Sequence, residues 1–295
     1  MKISGFTFIR NAQILGYPLV ESLLSIVPLC DEVIVAVGDS LDDTLDIINS
    51  LNEPKIRIIE SVWDQNLKTG GMIYSQQTNL ALSETIGDWC IYLQADEVIH
   101  ENDYDLILND INIAENSAGI DALLFKYIHF YGSYDYIGTG RQWYRREIRA
   151  FRNTGLVVSW GDAQGFRKKT KSGFSKLTAH QSEAKILHYG WVRPPKAQQK
   201  KLKLVHTYYN QDAEYKLTKV EENDFDYNSA YELLPFRGSH PLVMKSKISA
   251  DMDWTMNFDA SKTKKKPLIM KLADRIENVS NYRIGEFKDF IEVKK

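Results

Sequence analysis

The sequence predicts an α/β protein: a Rossmann-like, mostly parallel sheet flanked by helices, followed by a mainly helical extension at the carboxyl end. Two observations carry that expectation. Short apolar, β-branched runs alternate with stretches of helical period through the first hundred residues, and from about residue 194 the chain turns polar and helical, as in PPKAQQKKLKLVHTYYNQ. Strand, helix and strand in succession imply parallel pairs joined by right-handed crossovers.

The elements follow in order. ISGFTFI (3–9) reads as the first strand. YPLVESLLSIVPL (17–29) sets Leu19, Leu23, Leu24 and Val27 at helical spacing. EVIVAVG (32–38) is nearly continuous hydrophobic sequence, as expected of a strand covered on both faces. Leu41, Leu45 and Ile48 then form a helical stripe, with Ser40 and Asp43 placed as a capping pair. KIRIIE (55–60) is the third strand, and the polar loop SVWDQNLKTGG leads into a helix from about Met72 to Thr85. DWCIYLQ (88–94) is the fourth strand. Beyond residue 115, ALLFKYIHFYG (122–132) and the stretch 141–160 read as strands rich in aromatics and Arg. The expected organisation is a domain over 1–190, with a ligand-binding half at 1–100 and a second half at 115–190, and an extension over 191–295.

The chain has 295 residues, 43% hydrophobic and 26% charged, enough for one large α/β domain with an appendage. Its net charge of −2 conceals an asymmetry. Residues 1–115 carry 19 acidic against 5 basic side chains, and the remainder 20 against 32. The basic excess suits an anionic partner, a phosphorylated substrate or a membrane surface; solvated faces of opposite sign explain it equally well. Cys30 and Cys90 lie in apolar sequence and form no disulfide framework. The opening MKISGFTFIRNAQ is interrupted by Arg10 and Asn11 and is no signal peptide, and no run approaches the ~18 apolar residues of a membrane span. A cytoplasmic protein is expected, with peripheral contact at the inner face of the membrane as an open alternative. The basic stretch KTKKKPLIMK (262–271) reads as a solvated helix in preference to one resting on anionic lipid.

Several nucleotide and metal motifs are absent: G-x-x-x-x-G-K-[ST], a G-x-G-x-x-G after the first strand, C-x-x-C, H-E-x-x-H and G-x-S-x-G. A sheet without such loops must hold a nucleotide by side chains. Asp39 ends the second strand, Asp64 follows the third and Asp96 follows the fourth. In a parallel sheet those ends share one edge, so the three acids are expected to converge on one cleft. One carboxylate there can accept from ribose hydroxyls and another can bind a hard divalent cation that grips a diphosphate. Asp42 and Asp43 are read as helix caps.

FIRNAQILGYPLVESLLSI, DEVIVAVGDSLDDTLDII and GDWCIYLQADEVI, in that order, resemble three segments of the family 2 glycosyltransferases of GT-A fold. These are the opening strand and helix, the second strand with its Asp-x-Ser-x-Asp-x-Thr turn, and the Gly-Asp–strand–Asp-x-Asp segment. The resemblance covers a third of the chain well and the middle third loosely. It implies transfer of a sugar, with inversion, from a UDP- or GDP-sugar to a hydroxyl of a glycan or glycolipid acceptor in polysaccharide biosynthesis. Mn²⁺ or Mg²⁺ would assist, and no nucleic acid is involved.

In one respect the sequence departs from the family: its Asp-x-Asp is Gln94-Ala95-Asp96 here. The resemblance makes Asp96 a metal ligand, with His188 of ILHYGWVR as a second. Asn11, Asp39, Asp64, Lys68, Gln94 and Ala95 fall at positions for donor contacts, and Arg193 and Lys200 follow His188 where they can neutralise a diphosphate. Gln76 and Asn79 are placed to order the loop after the third strand. Asp162 in SWGDAQGF is the expected base, with Glu147 and Asp135 as alternatives and Trp160 beside it to stack on a sugar. A purely local cluster of Asp96, Glu97, His100 and Glu101 is the competing arrangement. A nucleotidyltransferase and a non-catalytic sugar-nucleotide or glycan-binding protein are the competing functions.

Overall fold

The computed structural model describes residues 1–295 apart from 211, 217–222, 281, 282, 284, 294 and 295. Its strands are β1 (Ile3–Ile9), β2 (Glu32–Gly38), β3 (Ile56–Ser61), β4 (Trp89–Tyr92), β5 (Glu97–Ile99), β6 (Ala122–Tyr131), β7 (Ser133–Gly138), β8 (Arg146–Arg152), β9 (Val157–Trp160), β10 (Gly165–Thr170), β11 (Gly173–Trp191), β12 (Leu233–Pro235) and β13 (Phe290–Glu292). The helices are α1 (Leu19–Ile26), α2 (Thr44–Ser50), α3 (Met72–Ser83), α4 (Tyr104–Glu115), α5 (Pro195–Tyr209), α6 (Lys245–Ala250), α7 (Met252–Thr255) and α8 (Leu268–Ser280).

Side-chain alternation explains the continuous apolar run of β2. Val33, Val35 and Val37 face a core shared with Leu19, Leu23 and Ile26 of α1 and Ile107 and Ile111 of α4. Ile34 and Ala36 face the opposite core, with Ala81 and Leu82 of α3 and Phe6 and Tyr92 of the neighbouring strands. With helices on both faces, every position of the strand must be apolar.

The sheet runs β3-β2-β1-β4-β8-β6-β11-β10-β9. The first four strands are parallel, with Phe6 beside both Ile34 and Tyr92. This is the α/β arrangement with a parallel sheet expected from strand–helix alternation. Past β4 the pairing is mixed. β8 runs antiparallel to β4 and β6, and β9, β10 and β11 form an antiparallel ladder, while β6 and β11 pair in parallel. Tight turns join β9 to β10 and β10 to β11, and such turns permit only antiparallel neighbours.

The capping expectation is corrected in one detail. Helix α2 begins at Thr44, whose N–H donates to Asp42 Oδ1 at 3.1 Å, while Asp43 makes no side-chain cap bond. Asp42 Oδ2 also accepts from Ile14 N at 2.8 Å, so this acid ties α2 to the loop after β1. Ser40 instead receives the Asn11 N–H at 3.0 Å. Cys30 and Cys90 are buried free thiols, and burial lifts Cys90 to about 12. Among the described residues no helix is long and apolar enough to cross a membrane.

Candidate functional site

The ends of β1 and β4 open onto a cavity of about 310 Å³ whose wall includes Asn11, Gln94, Ala95, Asp96, Asp162 and His188. Residues from both sides of position 190 build it, because α5 contributes Gln198, Lys201, Leu202, Val205, Tyr208 and Tyr209. These recur at three and four residues, one helical face turned to the sheet edge.

The turn carrying Asp96 is fixed from behind by a buried ion pair. Glu97 accepts from Arg149 Nε and Nη2, both at 2.8 Å, from the Tyr127 hydroxyl at 2.8 Å and from Gln94 N at 3.1 Å. Both charges are almost wholly withdrawn from solvent. Glu97 also opens β5, which pairs it with His188 of β11 and so sets His188 beside Asp96. Of the competing local cluster His100 and Glu101 meet, 3.5 Å apart, but they turn to Ser239 and Leu242 N, while Asp96 bonds Lys201 and Arg193 and Glu97 bonds Arg149.

Asp96 is itself buried and surrounded by cations. Its Oδ2 accepts from Lys201 Nζ at 3.0 Å and Arg193 Nη2 at 3.2 Å, and Oδ1 lies 3.8 Å from His188 Nε2. Burial alone would raise its carboxyl, but the charges of Lys201 and Arg193 hold it well below the usual range. Arg193 is fully buried over the Tyr17 ring and also donates to Leu15 O at 2.9 Å. It braces Asp96 from outside the cavity wall, and of the two cations on Asp96 it is Lys201 that reaches the wall. Lys200, expected with Arg193 to neutralise a diphosphate, lies one residue off the cavity face of α5. Burial lowers Lys201 to about 8, with Arg193 adding to the effect and Asp96 opposing it.

The hydrogen-bond network fixes the tautomer of His188. His129 Nε2 must donate to Tyr144 O at 2.7 Å, because a carbonyl only accepts. His129 Nδ1 is then an acceptor, and His188 Nδ1 donates to it at 3.0 Å. Burial keeps both rings neutral, lowering His129 to about 3 and His188 to about 4. His188 Nε2 therefore carries a bare lone pair toward Asp96. Gly190 leaves that space open: a Cβ there would stand 2.4 Å from His188 Nε2 and 3.0 Å from Asp96 Oδ2.

This donor set fits a divalent cation as two of its ligands, one carboxylate oxygen and one neutral imidazole. Among the described residues no group of three His, Cys, Asp or Glu side chains could hold a metal, so the remaining positions of such a cation would have to be filled by ligand oxygens and water. With Lys201 and Arg193 already on Asp96, a cation here needs the negative charge of a phosphate to balance it.

Aromatic rings make the other end of the cavity. Phe8, Trp63, Tyr74 and Tyr208 line it, with centroids 5.5–5.9 Å apart in five of their pairings. Asp39 stands behind this box, accepting from Arg10 Nη2 at 2.9 Å and Trp63 N at 3.1 Å, and Arg10 lies over the Trp63 ring and lines the cavity. Asn11 is buried in the left-handed region at φ 57°, and its Oδ1 receives Leu41 N at 2.6 Å. Asp64 is exposed and closes a turn onto Asn66 N at 2.9 Å, while Lys68 donates to Ala213 O at 3.2 Å; neither lines the cavity. Gln76 is exposed, and Asn79 pins β9 through two bonds to the Ser159 backbone, at 2.7 and 3.1 Å.

Asp162 reaches the wall from the β9–β10 turn. The residues on either side of it, Gly161 at φ 58° and Ala163 at φ 65°, are both left-handed, which turns the backbone sharply around Asp162. The Tyr209 hydroxyl donates to Asp162 Oδ2 at 2.9 Å. Trp160 is outside the wall, 46% exposed and edge-on to Phe174. Asp135 is exposed and also outside it. Glu147 lies behind Gln164, accepting from its Nε2 at 2.8 Å, and burial lifts this carboxyl to about 7 against the pull of Arg149.

Sequence reasoning missed Arg10, Trp63, Tyr74, Lys201 and Tyr209 as wall residues and Arg149 as the brace of Glu97. Only Lys201 had a legible signal, the helical period shared by 198, 201, 205 and 208.

No family model matches the sequence, and no curated protein matches it. Similar solved structures include TarS of S. aureus, 16% identical over 70% of this chain and 39% of that one, with TM-score 0.43. A mannosyltransferase from Pyrobaculum calidifontis, solved with GDP-Man and Mn²⁺, is 17% identical over 41% of this chain and 34% of that one, with TM-score 0.33. A glucosyl-3-phosphoglycerate synthase from Mycobacterium tuberculosis, solved with Mg²⁺ and UDP, is 20% identical over 43% of each chain, with TM-score 0.31. The chain thus spans less than half the length of these three solved chains.

Proposed function

We propose that this chain is a glycosyltransferase of the family 2 type, moving a sugar from a nucleoside-diphosphate donor to an acceptor hydroxyl with inversion. The observation that carries the reading is the gathering of an aromatic box, a cation-bound Asp96–His188 pair and the Asp162 carboxylate in one cavity. The box suits a nucleoside base, which stacks on ring faces. Asp39 contributes by holding Arg10 and Trp63 in place, and Asn11 by shaping the end of β1; Gln94 and Ala95 form the cavity floor before Asp96. Asp64 and Lys68 keep a supporting part at most, in the loop that adjoins the box.

Asp162 takes the proton as the acceptor oxygen forms its bond to the anomeric carbon, and the bond from that carbon to the phosphate oxygen breaks with its electron pair leaving on the diphosphate. Tyr209 orients Asp162 through its hydroxyl. Lys201 meets the charge that develops on the departing diphosphate, and Arg193 keeps Asp96 ionised and in position. A divalent cation held by Asp96 and His188 would supply further neutralisation of that charge when bound. The acceptor fits a hydroxyl-bearing glycan or glycolipid.

Thermal melts of the full chain with UDP, GDP and their sugars test the binding half of the reading. A nucleoside diphosphate should raise Tm by mass action, and Asp162→Asn should preserve that rise while lowering transfer or donor hydrolysis by about 10²–10⁴-fold. No shift with any nucleoside diphosphate, or full turnover by Asp162→Asn, would overturn it.

A further inference from the structure

Helix α8 is mounted with its polar side inward. Its two carboxylates bind the body of the protein: Asp274 is 2.9 Å from Lys266, and Glu277 is 3.2 Å from Arg145 and 3.0 Å from Arg283. Arg141 adds a bond to Ala273 O at 3.1 Å from the same side. On the opposite side Leu268, Leu272, Ile276 and Val279 recur at helical spacing with Ile269 beside them, and all five are exposed, Leu268 to 85% and Val279 to 90%. An amphipathic helix on a globular protein ordinarily buries this stripe. Lys271 and Arg275 flank it, and the exposed Lys264 and Lys265 precede it. No acid of the helix is on the outer side.

We propose that α8 is a membrane-surface anchor that lies in the plane of an anionic bilayer. The apolar stripe enters the headgroup–acyl boundary and the basic rim meets lipid phosphates. Charge complementarity selects this occupant: Lys264, Lys265, Lys271 and Arg275 rim the apolar face, with Glu232 3.7 Å from Lys271, and this net positive edge matches an anionic lipid layer, whereas a second copy would bring the same cations against themselves. At 13 residues the helix is about 20 Å long, too short to span and suited to lying flat. The expectation of a plain solvated helix over 262–271 does not account for the exposed apolar side. The proposal is independent of the sugar-transfer reading.

The test is sedimentation of the full chain with vesicles of phosphatidylcholine alone or with about 30% phosphatidylglycerol, a fraction that gives an anionic surface. Binding is expected to the anionic vesicles only and to weaken with added salt. Leu272→Ser with Ile276→Ser should lower partitioning by at least about tenfold, and Lys264→Glu with Lys265→Glu by about fivefold or more for each charge removed. The exposed Ile86, on the loop before β4, serves as control: Ile86→Ser should change nothing. Unchanged melting curves confirm that each variant is folded. Failure to bind anionic vesicles overturns the proposal. So does a dimer in solution that the two apolar substitutions dissolve, which would assign the face to a second copy.

Discussion

Glu147 shows how one buried acid writes a pH dependence into the protein. Its folded carboxyl is raised to about 7 from an ordinary 4.5, because burial disfavours the charge more than Arg149 and Gln164 favour it. The unfolded chain therefore loses this proton first as pH rises. The stability present at acid pH is given up between about 4.5 and about 7, a change on the order of 3 kcal/mol. Glu147→Gln, which has no such proton to lose, should melt progressively higher than the wild type across that window. Thermal melts at a series of pH values check this, and a constant offset would refute it. His188 belongs to the same scale. Sequence offered its name but not its tautomer, which follows from the Tyr144 carbonyl reached through His129.

Elements explain which parts of the site were legible. Strand ends announced Asp39 and Asp96, because continuous apolar runs and strand–helix alternation are written in local composition. The service each performs was hidden. Asp39 spends its oxygens on Arg10 and Trp63, and Asp96 on Lys201 and Arg193, partners 24 to 105 residues away that no local pattern connects. The Glu97–Arg149 pair is likewise a contact between β5 and β8 across the sheet, invisible until the antiparallel half is folded. Removing one partner strands a charge in the core, so Arg149→Met should cost about 3–5 kcal/mol in denaturant unfolding. Adding Glu97→Leu should recover much of that loss. Equal or greater destabilisation in the double variant would show that the pair is more than mutual compensation.

At the scale of the whole molecule, the charge asymmetry of the sequence resolves into an acidic amino-terminal sheet and a basic carboxyl region that meet at the cavity through Asp96 and Lys201. That meeting governs how a metal can bind. Two cations already on Asp96 should make Mn²⁺ a poor ligand by itself, so Mn²⁺ alone should leave Tm nearly unchanged. With a nucleoside diphosphate present, it should tighten nucleotide binding by about tenfold or more. Calorimetric titration in each order checks the coupling, and equal Mn²⁺ affinity with and without nucleotide would refute it.

Because α5 forms one wall of the cavity and the parallel sheet another, the order of synthesis matters. The strands bearing Asp39 and Asp96 leave the ribosome first, with Asp96 still lacking both of its cations. Only when the stretch through Tyr209 has emerged can that carboxylate be neutralised and the aromatic box gain Tyr208. A nascent chain arrested before that point would lack β12, β13 and one wall of the cavity, and the cavity would close only as a late step.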